Sequence, residues 1–286
     1  MVLDGESLAH PLLTNQMKQL ATPLFGSVDR SLRRWLRRRL NGYAIEYDRL
    51  ESWPAVVPRG WTGPAATARF EVGITGGDHL EGIQRNCEWA PVVRDTVNAL
   101  ERTGLAQAQV LDYGCGSGLY REILKKNADT SAWTYVGADV NPAIVDACRR
   151  RDTETRYELV IEDLPLPFPD ATFDVVFASG VIQNVAHPEA LLAEFRRITR
   201  DWVLLSRLPV RKFSAPAIYL QTVWHKWGQE QHPIHVFRRN ELEAMILRHG
   251  LEIECRDHGV ECFTVPCELE PVPHVSYLLR TRQDDR

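Results

Sequence analysis

The sequence predicts an α/β fold: a Rossmann-like, doubly wound, mostly parallel seven-stranded sheet with an antiparallel last strand, joined to a helical N-terminal cap. Three observations carry this expectation. From Gln109 onward, short apolar β-rich runs alternate with helical segments, the order of a parallel sheet covered on both faces. The first such run ends in a glycine-rich turn containing Gly114, Gly116 and Gly118. Residues 1 to about 105 show helical spacing and lack strong strand signals.

Taken in order, residues 1–105 form the expected cap or substrate region. Helices are expected over Ser7–Leu20 and Val28–Leu40. The second places Leu32, Trp35, Leu36 and Leu40 on one face and six arginines between Arg30 and Arg39 on the other. That basic face is either a solvated surface or a contact for an anionic partner or membrane surface. Residues 52–78 hold Pro54, Pro58, Gly60, Gly63, Pro64, Gly73, Gly76 and Gly77, and read as an irregular linker or flap. A helix from about Glu88 to Arg102 stops near Gly104.

Residues 106–286 form the expected main domain. Strands are expected at Val110–Tyr113, Thr134–Val140, Tyr157–Ile161, Phe173–Ala178 and Trp202–Leu208. Helices alternate with them at Leu119–Lys126, Pro142–Arg150 and Pro188–Thr199, with Pro142 suited to a first turn. An insertion, 209–238, is rich in aromatics and histidine. A helix from Asn240 to His249 ends at Gly250, and strands at about Leu251–Val260 and His274–Thr281 close the sheet.

Composition narrows the class. The chain is 44% hydrophobic and 25% charged, as soluble globular proteins are. A net charge of −4 gives no global pull toward nucleic acid. Asp4 and Glu6 follow the start with no long apolar core, so no signal peptide is expected. No run approaches the length of a transmembrane helix. The six cysteines form no Cys-x-x-Cys pair, which predicts a reduced, cytoplasmic chain with no metal site.

The strand-loop-helix from Val110 to Gly118 holds the chemistry. Glycines let the backbone turn sharply and approach a ligand, and the following helix offers free N–H groups to polar ligand atoms. The next strand ends at Asp139 and Val140, where a carboxylate can accept hydrogen bonds from both hydroxyls of a ribose. The dinucleotide pattern fits poorly, because Leu119 stands at its third glycine position. The P-loop pattern fails for want of Lys-Ser or Lys-Thr after the glycines.

This segment resembles motif I of the class I S-adenosylmethionine-dependent methyltransferases, small-molecule type, similar to the type 11 group. The likeness extends over about residues 109–208. It implies S-adenosyl-L-methionine as cofactor, S-adenosyl-L-homocysteine as product, and a small-molecule or sugar-bearing acceptor methylated at oxygen or nitrogen. It assigns the methionine part of the cofactor to Gly114, Gly116 and Gly118, with Asp112 and Cys115 in the same segment. Ribose falls to Asp139 beside Val140, and adenine to Asp163 and Leu164. Ser179 and the residues to Val185 flank the sulfonium, and Arg85 is a candidate for the methionine carboxylate. Asp112 and Asp163 also have plain structural readings, as turn-capping carboxylates.

The resemblance leaves catalysis open. Many small-molecule members have His where this chain has Gln183, and an amide is no base at neutral pH. The insertion brings His225, His232 and His235 together with Tyr219, Trp224 and Trp227. It is either a packed aromatic cap or a substrate lid with one histidine as base. Ser179, Gln183 and Asn184 stand where metal-dependent members place aspartates, so no catalytic divalent ion is expected. The alternative is a non-catalytic nucleoside-binding protein that recruits a partner through its basic helix.

Overall fold

Val110 and Leu111 are neighbours in the chain, and both are fully buried. Side chains of successive strand residues point to opposite faces, so this strand needs cover on both sides. A computed structural model describes residues 32, 35, 44–56, 60–75, 91–127, 129–161, 164–225, 228–263 and 272–282. In it Val110 joins one apolar cluster with Val175, Phe177 and Leu204. Leu111 joins another with Val176, Ala178 and Leu205. The sheet is doubly wound.

The strands are β1 (Ala44–Leu50), β2 (Gln109–Tyr113), β3 (Thr134–Asp139), β4 (Arg156–Leu159), β5 (Phe173–Ser179), β6 (Thr199–Arg211), β7 (Ala217–His225), β8 (Gly228–Arg238), β9 (Leu251–Phe263) and β10 (Val272–Thr281). The helices are α1 (Pro64–Thr75), α2 (Pro91–Glu101), α3 (Leu119–Lys126), α4 (Pro142–Arg151), α5 (Pro188–Ile198) and α6 (Arg239–Arg248). Helices α2, α3 and α4 give Leu100, Leu124 and Ile144 to the first cluster. Helices α5 and α6 give Phe195, Ile198 and Ile246 to the second.

Sheet order runs β1-β7-β8-β6-β5-β2-β3-β4, and β10 pairs with β6 and β9. Strands β2 to β6 pair in parallel, and β10 is antiparallel to both neighbours. The seven strands expected from the sequence are β2 to β6, β9 and β10. Three more are present, and they correct two expectations. The region before residue 105 contributes β1, and the insertion is itself mostly strand, with β8 parallel to the end of β6 at Val210 and Arg211. A third correction concerns the linker at 52–78, whose residues 64–75 form helix α1.

The chain divides into two compact units, Met1–Ile45 with Trp224–Lys226, and Glu46–Val223 with Trp227–Arg286. The compact units therefore do not part at the boundary expected near residue 105, because α1 and α2 fall in the same unit as the sheet. In the smaller unit, Leu32 and Trp35 are helical and exposed. The arginines at 30–39 lie outside the described residues.

Candidate functional site

The site starts at the turn from β2 into α3. Gly114, Gly116 and Gly118 have φ of +80°, +51° and +73°. Only glycine adopts this region without strain. Space is also short: a Cβ on Gly114 would lie 2.4 Å from Cγ2 of Val181, and one on Gly116 would lie 3.0 Å from the Phe70 ring. The turn is tied to β3, since the Gly114 and Cys115 amides donate to the Ala138 carbonyl at 2.7 and 3.0 Å.

Asp139 ends β3 beside this turn. Its Oδ2 accepts from the Gly116 amide at 2.9 Å, and its Oδ1 from the Asn141 amide at 3.0 Å. Burial pushes its pKa up against the lowering effect of backbone hydrogen bonds from Asn141, Gly116 and Val140. A carboxylate offers about four lone-pair directions, so acceptor capacity remains beyond these amides. Asn141 caps α4, accepting from the Ala143 and Ile144 amides at 3.1 and 3.3 Å. Its Nδ2 donates to the Trp61 carbonyl and to Thr67 Oγ1, both at 2.9 Å. The segment before and within α1 is thereby held beside the glycine turn.

Asp112 is buried beneath the turn and accepts a hydrogen bond from the Tyr135 hydroxyl. Burial raises its pKa, the Tyr135 bond opposes that, and the charge of Asp139 adds to it, bringing Asp112 to about 7. Cys115 is buried, and its thiol pKa stands well above the ordinary range for the same reason, so it is no nucleophile. Val140 packs against the core. Leu164 is about one-third exposed, at 37%. Asp163 and Arg85 lie outside the described residues.

The ends of β5 and β6 form the adjoining wall. Ser179 Oγ shares a 3.0 Å hydrogen bond with the Tyr120 hydroxyl. Thr96, Ser206 and Ser276 make a buried hydroxyl chain, with contacts of 2.6 and 3.1 Å. Gln183 is buried in the 3₁₀ turn at Ile182–Asn184, and its Nε2 donates to the Arg207 carbonyl at 3.4 Å.

Each of the three histidines has its own surroundings. His225 falls in the smaller unit. His235 stacks on Trp53 with ring centroids 4.6 Å apart, and shares a 3.1 Å hydrogen bond with the Val185 carbonyl. It also lines a cavity of about 850 Å³ with Arg49, Pro216 and Phe237. Burial lowers its pKa, the Val185 carbonyl opposes this, and His187 adds to the lowering. His232 is buried, stacks on Trp61 at 3.8 Å, and bonds Glu230 at 2.9 Å. Glu230 in turn accepts two hydrogen bonds from Arg69 of α1, at 2.9 and 3.1 Å. Burial alone would raise the Glu230 pKa, but His232 and Arg69 together draw it down to about 2.

Sequence reasoning missed Trp61, Phe70, Arg69 and Glu230. Pro64 in a helix-starting position was the one local signal, since such a proline favours a first turn. Among the described residues, no group of three His, Cys, Asp or Glu side chains has metal-holding geometry. No helix among them is long and apolar enough to cross a membrane.

Residues 111–204 match the family described as Methyltransferase domain. A malonyl-[acyl-carrier protein] O-methyltransferase of Serratia marcescens is 36% identical over 127 residues, 43% of this chain and 46% of that protein. A ribosomal protein L11 methyltransferase of Burkholderia mallei is 37% identical over 89 residues, 31% of this chain and 28% of that protein. The matched stretch thus spans less than half the length of these curated relatives. Among solved structures, 1,6-didemethyltoxoflavin-N1-methyltransferase of Burkholderia thailandensis, with bound 1,6-didemethyltoxoflavin and S-adenosylhomocysteine, superposes with a TM-score of 0.53. It is 15% identical and covers 83% of this chain and 95% of that chain, a likeness of fold.

Proposed function

We propose that this chain, whose residues 111–204 form a class I methyltransferase domain of the type 11 group, uses S-adenosyl-L-methionine to methylate a small-molecule acceptor at oxygen or nitrogen. The observation that carries the reading is the left-handed glycine turn beside Asp139, whose Oδ2 accepts from the Gly116 amide of that turn. The fit to the cofactor is chemical. The left-handed glycine backbone permits the sharp turn proposed to receive the methionine part. The Asp139 carboxylate retains lone pairs for two ribose hydroxyls. Asp163 and Leu164 complete the proposed adenine end.

When bound, the cofactor supplies an electrophilic methyl sulfonium. The chain's own residues then orient and desolvate. Val181 and Phe70 fill the space beside Gly114 and Gly116. Ser179 and Gln183 present polar atoms at the ends of β5 and its following turn. Gln183 can hold an acceptor N–H or O–H but takes no proton at neutral pH. Of the three histidines, His232 is the favoured base: Glu230 orients it, and its stacking partner Trp61 is joined to Asn141 beside Asp139. The small-molecule acceptor agrees with the activity named for the structural neighbour from Burkholderia thailandensis.

Calorimetric titration of S-adenosyl-L-homocysteine, with a nicotinamide dinucleotide as control, tests the reading. Stoichiometric binding of the first and none of the second is expected. Binding of the dinucleotide alone sinks it. Cofactor binding without methyl transfer to any acceptor tried, under conditions that saturate the cofactor, favours the non-catalytic alternative.

A further inference from the structure

Arg207 is the one residue at the acceptor wall whose backbone is strained. Its φ is +62°, in the left-handed region, where a side chain with a Cβ is destabilised. Strand pairing explains how it gets there. Val275 faces Leu208 and Tyr277 faces Leu205, so β6 carries an extra residue opposite Ser276. This is a β-bulge, a device that re-aims side chains and is common next to active sites. Left-handed bulge positions favour glycine; here the chain keeps arginine.

The bulge turns the guanidinium toward the site. Nη1 of Arg207 lies 3.7 Å from where a Cβ on Gly180 would stand, beside Nε2 of Gln183 at the same distance. Gly180 precedes Val181, which touches Gly114 of the cofactor turn. Arg207 also lies close enough to the Tyr120 hydroxyl for its charge to act on it. Its Nε is buried with no hydrogen-bond partner, and so is Oε1 of the neighbouring Gln183. The side chain makes no ion pair among the described residues. A buried charged donor left unsatisfied is unfavourable, and such groups call for a missing partner.

We propose that Arg207 anchors an oxyanion, a carboxylate or phosphate, carried by the methyl acceptor, while Gln183 Oε1 accepts from an N–H or O–H of the same molecule. The proposal rests on the methyltransferase reading for the identity of the bound molecule as acceptor. Guanidinium groups suit planar oxyanions because they donate two parallel hydrogen bonds. The strain of the bulge is then retained for the position it gives the charge.

The test titrates malonate and, separately, inorganic phosphate into the full chain, with and without saturating S-adenosyl-L-homocysteine. Saturable binding of one of the two is expected, and the preferred anion identifies the oxyanion. Arg207→Gln should weaken it on the order of 10- to 100-fold, the loss of a charge-assisted hydrogen bond, with homocysteine-cofactor affinity unchanged. Arg207→Lys should restore part of the binding. Arg207→Gly should abolish it while raising Tm by about 2–4 °C through relief of the left-handed strain. No binding of either anion, or equal binding by Arg207→Gln, overturns the proposal. Anion binding that depends on Arg207 in a protein that does not bind S-adenosyl-L-homocysteine overturns the methyltransferase reading and leaves the oxyanion site standing.

Discussion

Two buried carboxylates, Asp112 under the glycine turn and Glu230 on the added strand β8, titrate in opposite directions. Asp112 is pushed up to about 7, and Glu230 is drawn down to about 2. Burial acts the same way on both. The difference lies in partners: Asp112 has one hydroxyl donor and a like charge at Asp139, whereas Glu230 has a bidentate arginine and a histidine. At the glycine end burial therefore disfavours the charged forms of both Asp112 and Asp139, with only hydrogen bonds opposing it. At the β8 end, the Arg69–Glu230 ion pair links α1 to β8, and His232 hydrogen-bonds the same carboxylate.

The largest expected effect breaks the glycine end. Gly114→Ala puts a Cβ into Val181 and forces a left-handed alanine, so it should lose about 2–4 kcal/mol of stability and bind no S-adenosyl-L-homocysteine in calorimetry. Retained binding would show that the turn is not the cradle.

Next comes the β8 end. Glu230→Gln removes the carboxylate that Arg69 and His232 contact and should lower stability by about 2–3 kcal/mol in denaturant unfolding. The Glu230 pKa lies below the ordinary carboxylate value, so its contribution is present above roughly pH 4.5 and is lost as pH falls toward 2. The gap between wild type and Glu230→Gln should close over that window; a gap constant with pH would contradict the ion-pair account.

The smallest effect has the opposite sign. Asp112 has a raised pKa, so between about pH 4 and pH 7 the folded state keeps a proton that the unfolded state has released, and stability falls as pH rises. Asp112→Asn removes that loss. Its Tm should match wild type near pH 4 and exceed it by a few degrees at pH 8. A variant less stable than wild type at pH 8 would show that the ionised carboxylate is itself stabilising.

How much was legible in the sequence follows the same division. The glycine turn, Asp139 and the order of β2 to β6 are readable, because apolar runs, turn glycines and helix starts are local signals. The ends of α3, at Leu119 and Lys126, agree with the spacing alone. The β8 end is not readable in this way. Arg69 meets Glu230 across 161 residues of chain, Trp61 stacks on His232, and nothing local announces either meeting. Segment 64–75 was hidden by the glycines that surround Pro64, although Ala65 and Ala66 are buried as a packed helix requires. Arg207 is the clearest case. Within β6 it reads as a polar residue beside Ser206 with no local sign of a bulge, and its left-handed backbone goes with the register shift between β6 and β10. Local chemistry marks the glycine turn, while the surroundings of Arg207 are specified by long-range pairing.

The most direct measurement is the Tm shift caused by S-adenosyl-L-homocysteine in wild type, Asp139→Ala and Glu230→Gln. At about 100 times its dissociation constant the ligand should add roughly 2.7 kcal/mol, on the order of 5–10 °C for a chain of this size. The predicted result is a shift that disappears in Asp139→Ala and persists in Glu230→Gln, even though the latter melts lower on its own. A shift that survives in Asp139→Ala, or is lost equally in both variants, would contradict the assignment of cofactor binding to the glycine end.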